Sequence, residues 1–127
     1  MTKKAQRQKI YDKYKGRCAY CGVNLTLETK TPYTMQIDHI EPVNRDIETG
    51  IMQSPENDVI ENKNPACKYC NGDKHSQSLE AWREWLINRF NHLEYLFKSK
   101  SKYEIAVNLG VVNIEKWDGL FYFERLE

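Results

Sequence analysis

No apolar run in this sequence approaches the roughly 20 residues that span a bilayer, and its first residues, Met1 to Arg7, lack the apolar core of a signal peptide. That lack predicts a soluble chain working in the cytoplasm, with no membrane partner. Charge of one sign is lacking too. The net charge is only +1, so the whole molecule exerts no strong pull on nucleic acid. There is no internal repeat, low-complexity tract or flexible linker. A length of 127 residues suits one domain, able to bury roughly two thirds of the surface its unfolded form exposes.

Cysteine is scarce, and its four occurrences fall in two pairs, Cys18-x-x-Cys21 and Cys67-x-x-Cys70. Thiols in a chain without a secretory leader stay reduced, which argues against disulfides. Two C-x-x-C pairs then point to one tetrahedral zinc ion, because each pair offers two thiolates from a tight turn or helix start. The pairs lie farther apart than in a compact zinc ribbon, which leaves room for a functional insertion between them. Charge is uneven along the chain. Residues 1–17 hold seven Lys and Arg against Asp12 alone, and residues 103–127 reverse the sign. The basic start, with Lys15 and Arg17, suits either phosphate contact or an ordinary solvated helix face.

A helix is predicted over residues 3–14, with Ile10 and Tyr14 on one face and Gly16 as its stop. Val23 to Leu27 reads as a short strand, and Thr34 to Ile40 as a strand with Met35, Ile37 and His39 on one side. Residues 44–55 read as loop. Asn64-Pro65 has the form of a helix start, with Asn64 as cap and Pro65 at the first position. On that helix Cys67, Cys70, Asn71 and Lys74 share one stripe. Ser78 caps a further helix to Phe90, with Leu79, Trp82, Leu86 and Phe90 as its apolar side. Ser101-x-x-Glu104 has the form of a capping box before a short helix that Gly110 closes. Asp118-Gly119 is a favoured two-residue turn between candidate strands at Val111–Trp117 and Leu120–Glu124.

The order Arg17-Cys18-Ala19-Tyr20-Cys21-Gly22, then Asp38-His39-Ile40-Glu41-Pro42, then Glu61-Asn62, then Cys67-Lys68-Tyr69-Cys70-Asn71-Gly72-Asp73-Lys74 resembles the HNH endonucleases in their zinc-stabilised form. The resemblance covers Arg17 to Lys74. It implies an α+β fold with a ββα-metal nuclease core and a four-cysteine zinc site, and the patterns outside it add a flanking N-terminal helix and C-terminal helices with a terminal β-hairpin. Residues 1–90 are then the nuclease domain, and 91–127 an appendage packed on it. The implied activity is metal-dependent hydrolysis of phosphodiester bonds in DNA.

Each implied role suits its residue chemically. In-line attack on a phosphodiester needs an activated water and neutralised phosphoryl charge, and His39 is the candidate general base. Asp38 and Asn71 offer hard oxygen donors to a catalytic Mg²⁺ or Mn²⁺. The family role of Asn62 is to orient the histidine. Lys74 would meet a phosphate, joined by Arg17 and Lys15. Asn57 and Asn64 are rivals to Asn62, and His75 to Asn71. The sequence departs from the family pattern at Lys63, where an apolar residue is usual, and in the loop Val43–Asp58, which lacks the usual Gly-Gly.

Two other readings stay open at this level. His39-Ile40-Glu41 with Pro65-Ala66-Cys67-x-x-Cys70 imitates the zinc site of nucleobase deaminases, although Ala66 interrupts the signature. A zinc module that grips nucleic acid without cutting it would use the same cysteines.

Overall fold

A computed structural model describes residues 1–28, 30–90, 99–112 and 115–126, with the side chain of Phe90 excluded. The chain divides into two compact units, Met1–Leu79 together with Phe121–Glu127, and Glu80–Leu120. No helix among the described residues is long and apolar enough to cross a membrane.

The first unit opens with α1, Lys3–Asp12, whose start is capped by Thr2 through a 3.0 Å bond from the Ala5 amide. Ile10 is its buried residue, and Tyr11 reaches the Leu25 carbonyl. The helix ends two residues earlier than the pattern predicts. Gly16 then turns the chain with φ +78°, its amide returning to the Tyr11 carbonyl, and a β-carbon there would collide with the Tyr11 ring at 2.6–2.7 Å. Glycine is therefore required. The expected strand at Val23–Leu27 is reduced to single bridges, Arg17 to Asn24 and Thr26 to Thr34.

Strand β1, Gln36–His39, pairs antiparallel with β2, Lys63–Ala66, in the register Gln36–Ala66 to His39–Lys63. This corrects the reading of Asn64-Pro65 as a helix start. Both residues belong to β2, and the Pro65 carbonyl accepts from the Ala19 amide. That carbonyl points away from β1, and so does the Pro65 nitrogen; the missing donor falls on the outer edge of a two-stranded sheet, where it costs no ladder bond. Helix α2, Lys68–Lys74, starts three residues later than the Asn64 cap would have it, with the Cys67 sulfur accepting from the Cys70 amide. Lys63 does not break β2 either, because its ammonium reaches out to Asp58 and Gln6.

Between the strands, residues 43–54 double back on themselves. Arg45 bridges Met52, and backbone bonds join Asn44 to Gln53 and Val43 to Ser54. Single 3-10 turns follow at Pro55–Asn57 and Ile60–Asn62. The C-terminal segment corrects the expected hairpin: Tyr122–Leu126 is a 3-10 helix. Its amides at Tyr122 and Phe123 donate to the carbonyls of Tyr20 and Ala19, and the rings of Phe121 and Phe123 meet Tyr20 edge-on. The segment pairs with the first cysteine turn instead of with a neighbouring strand.

The second unit contains most of α3, Leu79–Phe90, and α4, Lys100–Asn108. Leu79, Trp82 and Leu86 are buried as their spacing predicts; the fourth member of the stripe, the Phe90 side chain, lies outside the described residues. The cap of α4 is Ser99, two residues before the predicted Ser101. Asp118-Gly119 does turn the chain, with Gly119 at φ +88°, but Asp118 takes the Leu120 amide and no strand flanks it among the described residues.

Candidate functional site

The four cysteine sulfurs lie within 4.8 Å of one another, drawn together from the Cys18–Gly22 turn and the start of α2. Cys21 and Cys67 are 3.9 Å apart, close to the ~3.8 Å edge of a tetrahedron with metal–sulfur bonds of about 2.3 Å. Backbone amides already aim at the sulfurs, Cys67 at Cys18 and Cys70 at Cys67, both at 3.4 Å. Bonds from the Cys21 and Cys70 thiols hold the Cys18 thiol down at about 2, and the bond to Cys18 pushes Cys21 up to about 11 and Cys70 up as well. Such crowding lets one thiol ionise at the expense of its neighbours. A dication at the centre is what allows all four to be thiolates, so the cluster is consistent with a structural zinc site. It also closes the deaminase reading: among the described residues the metal-competent group is four cysteines, and His39 is outside it.

Beside α2 an open cleft of about 1160 Å³ is lined by Gln36, Asp38, His39, Asn71, Lys68 and Arg45, among others. It exceeds the roughly 300–1,000 Å³ of small-molecule pockets, and offers room for a length of polymer backbone. His39 sits at the end of β1, its side chain 24% exposed, with Nε2 2.9 Å from Oδ1 of Asp58. The same oxygen lies 3.1 Å from the Lys63 ammonium. The bond from His39, then that from Lys63, holds the Asp58 carboxyl below the usual carboxylate range.

Asn62 is near this pair but does not reach the imidazole. Its side chain clamps the Glu41 backbone, accepting from the amide at 3.0 Å and donating to the carbonyl at 2.8 Å, and donates again to the Asn57 carbonyl. The expected contact of an amide with the ring is thus replaced by a grip on the chain two residues after His39 and on the residue before Asp58. Of the rivals, Asn57 donates to the Pro42 carbonyl, and Asn64 is fully buried in β2. Asp58 is the residue that sequence reasoning missed. It stands 19 positions after His39 in a loop without period, and nothing local marks it.

Lys74 is placed differently from the expectation of a phosphate contact, and Asp38 is its partner. Asp38 is 4% exposed and Lys74 wholly buried, and their charged groups meet at 3.1 Å. The Tyr20 hydroxyl donates to the same carboxylate. Burial pushes the Asp38 carboxyl up, against the opposing pull of Tyr20 and Lys74. Burial, then the Asp38 charge, raises the Tyr20 phenol, which stays the donor. Lys74 has three N–H bonds, and Asp38, the His39 carbonyl at 2.8 Å and the Gln77 carbonyl at 3.1 Å take them all. None remains for a phosphate; this is the correction to its assignment as a DNA contact. Lys74→Met is expected to cost about 3–5 kcal/mol of stability in urea unfolding, because it strands a buried carboxylate. Unchanged stability with weakened DNA binding would return Lys74 to the phosphate role.

The carboxylate still has chemistry to spare. It offers about four lone-pair sites, of which Tyr20 and the two Lys74 contacts occupy three. The Asn71 side-chain amide meets the Gln36 amide at 2.7 Å, which holds its plane at the cleft. Both residues line the cleft, and both donors are hard oxygens, the set that suits Mg²⁺ or Mn²⁺. His75, the rival to Asn71, also lines the cleft but is exposed, with Nδ1 near the Ser76 hydroxyl.

The basic residues on the cleft wall are Arg45 and Lys68 rather than the predicted Arg17 and Lys15. Arg17 is tied to the Gly22 carbonyl and lies over the Tyr122 ring, and Lys15 is exposed beside the Gly16 turn. No curated protein and no solved structure matches the chain. The matched segment of the HNH endonuclease model runs from residue 18 to residue 77 and so takes in both cysteine pairs, the two strands, α2 and every wall of the cleft; by that match residues 18–77 belong to the HNH endonuclease family.

Proposed function

We propose that the protein is a metal-dependent endonuclease that hydrolyses phosphodiester bonds in DNA, with His39 as general base. The observation that supports this most is an imidazole anchored through Nε2 at a cleft whose wall also carries Asp38, Asn71, Arg45 and Lys68. A neutral imidazole with one nitrogen anchored has the other available to take a proton, and histidine does this at neutral pH. His39 removes a proton from water, the resulting hydroxide bonds to phosphorus, and the bond from phosphorus to the 3′-oxygen breaks. The departing oxygen and the spent imidazolium exchange protons with solvent. Arg45 and Lys68 hold the strand by its phosphates. A hard divalent ion held by Asp38 and Asn71 would supply neutralisation of charge on the phosphoryl and leaving oxygens.

Zinc-loaded protein is expected to convert supercoiled plasmid to nicked or linear forms in Mg²⁺ or Mn²⁺, and to stop on addition of mild EDTA. With only two protein ligands, a cleft ion would bind weakly and exchange freely, so adding Mg²⁺ back is expected to restore cleavage. Retained DNA binding with no cleavage in either metal would favour the binding module over the nuclease.

A further inference from the structure

We propose that Asp58 is a positioning residue that fixes His39 in its Nε2–H tautomer, so that Nδ1 is the nitrogen that takes the proton. The inference rests on the reading of His39 as base, and goes beyond it by naming the residue and the ring atom. A carboxylate held ionised can only accept, so the 2.9 Å contact requires Nε2 to carry the hydrogen. Among the described residues Nδ1 has no protein partner, and His39 lines the cleft.

Asp58 is itself held on several sides. Its amide closes the 3-10 turn onto the Pro55 carbonyl, and Asn57 beside it bonds to Pro42 and Asn62. Lys63 stands directly across β1 from His39 and contacts the same carboxylate oxygen, so that oxygen is fixed between the ring and the ammonium. As the ring gains its second proton the carboxylate faces an imidazolium, an arrangement that orients the base and stabilises the charge it acquires.

The test is nitrogen-15 NMR of the histidine rings in the full-length, zinc-loaded chain, read beside plasmid cleavage. The chain has three histidines, and His39→Ala assigns the relevant signal. In the parent, His39 is expected to show a protonated Nε2 and a bare Nδ1. Asp58→Ala is expected to give mixed tautomers and about a 10- to 100-fold loss in kcat, the range for losing a group that orients a histidine, with KM for DNA unchanged. Asp58→Asn keeps an acceptor oxygen beside Lys63 and is expected to retain the parent tautomer while losing part of the rate, because a neutral amide does not stabilise the imidazolium. An unchanged Nε2–H tautomer in Asp58→Ala, or a parent ring protonated at Nδ1, overturns the proposal. Parent-level cleavage by His39→Ala would instead remove the reading of His39 as base and leave the tautomer result standing.

Discussion

His39→Ala is expected to lower the rate of DNA cleavage by about 10²–10⁴-fold, the range for losing a general base, while DNA affinity and the unfolding midpoint stay near those of the parent. The separation follows from where the ring sits. His39 is only half-buried at the end of a strand, and among the described residues its ring bonds to an exposed carboxylate, so its removal opens no cavity in the core. In the mechanism proposed, its contribution arises as the water loses a proton, which affects the transition state and leaves the bound ground state alone. Asn62→Ala makes the contrast. It releases the Glu41 backbone and the Asn57 carbonyl together, and is expected to cost less activity but more stability, since three bonds that order two loops are lost. Parent-level activity in His39→Ala would exclude the mechanism. Asp38→Ala is a poorer probe of the same chemistry, because it leaves the buried Lys74 ammonium without its counter-charge and mixes a folding defect with any loss of metal.

What the sequence shows and what it hides divides along physical lines. The four-cysteine cluster was legible because C-x-x-C spacing states a local geometry, and Cys70, Asn71 and Lys74 fall on α2 at the 3- and 4-residue spacing expected of one helix face. Gly16 was legible as a stop for the same local reason. Beyond small shifts at the end of α1 and the start of α4, the errors are non-local. Asn64-Pro65 carries a good helix-start signature, but pairing with β1 and a sulfur cap at Cys67 compete with it and prevail. Lys74 reads as a solvent-seeking charge until Asp38 and the His39 carbonyl, both far from it in sequence, join the nearby Gln77 carbonyl in taking its three donors. The Asp118-Gly119 turn is real, yet the strand expected after it is taken by the carbonyls of Ala19 and Tyr20, about a hundred residues upstream. Asp58 is the extreme case: a single carboxylate, in a loop, defined only by the ring it meets.

Those non-local contacts tie the cleft to the cysteines. Tyr20, inside the first cysteine pair, gives its hydroxyl to Asp38; Ala19 bonds to Pro65 of β2; and Cys18 accepts the Cys67 amide. Zinc at the four sulfurs would therefore order more than its own turn. Loss of that ion is expected to unfold the unit formed by Met1–Leu79 and Phe121–Glu127. Structural zinc in finger peptides binds with about 10–16 kcal/mol, as much as or more than the ~5–15 kcal/mol that stabilises a typical domain, so little folding free energy remains without it. Cys18→Ser is the sharpest probe, because Cys18 is fully buried and receives the Cys67 amide, whereas Cys21 is exposed. The parent should contain about one zinc per chain and melt cooperatively. Cys18→Ser should lose the metal, the cooperative transition and cleavage together. Mild EDTA, by contrast, should stop cleavage at once with the far-ultraviolet circular dichroism unchanged, because it would remove only the weakly held ion proposed for the cleft. Retention of one zinc and a parent-like melt by Cys18→Ser would show that the four sulfurs do not act as a single site, and would separate the stability of the cleft from the cysteines.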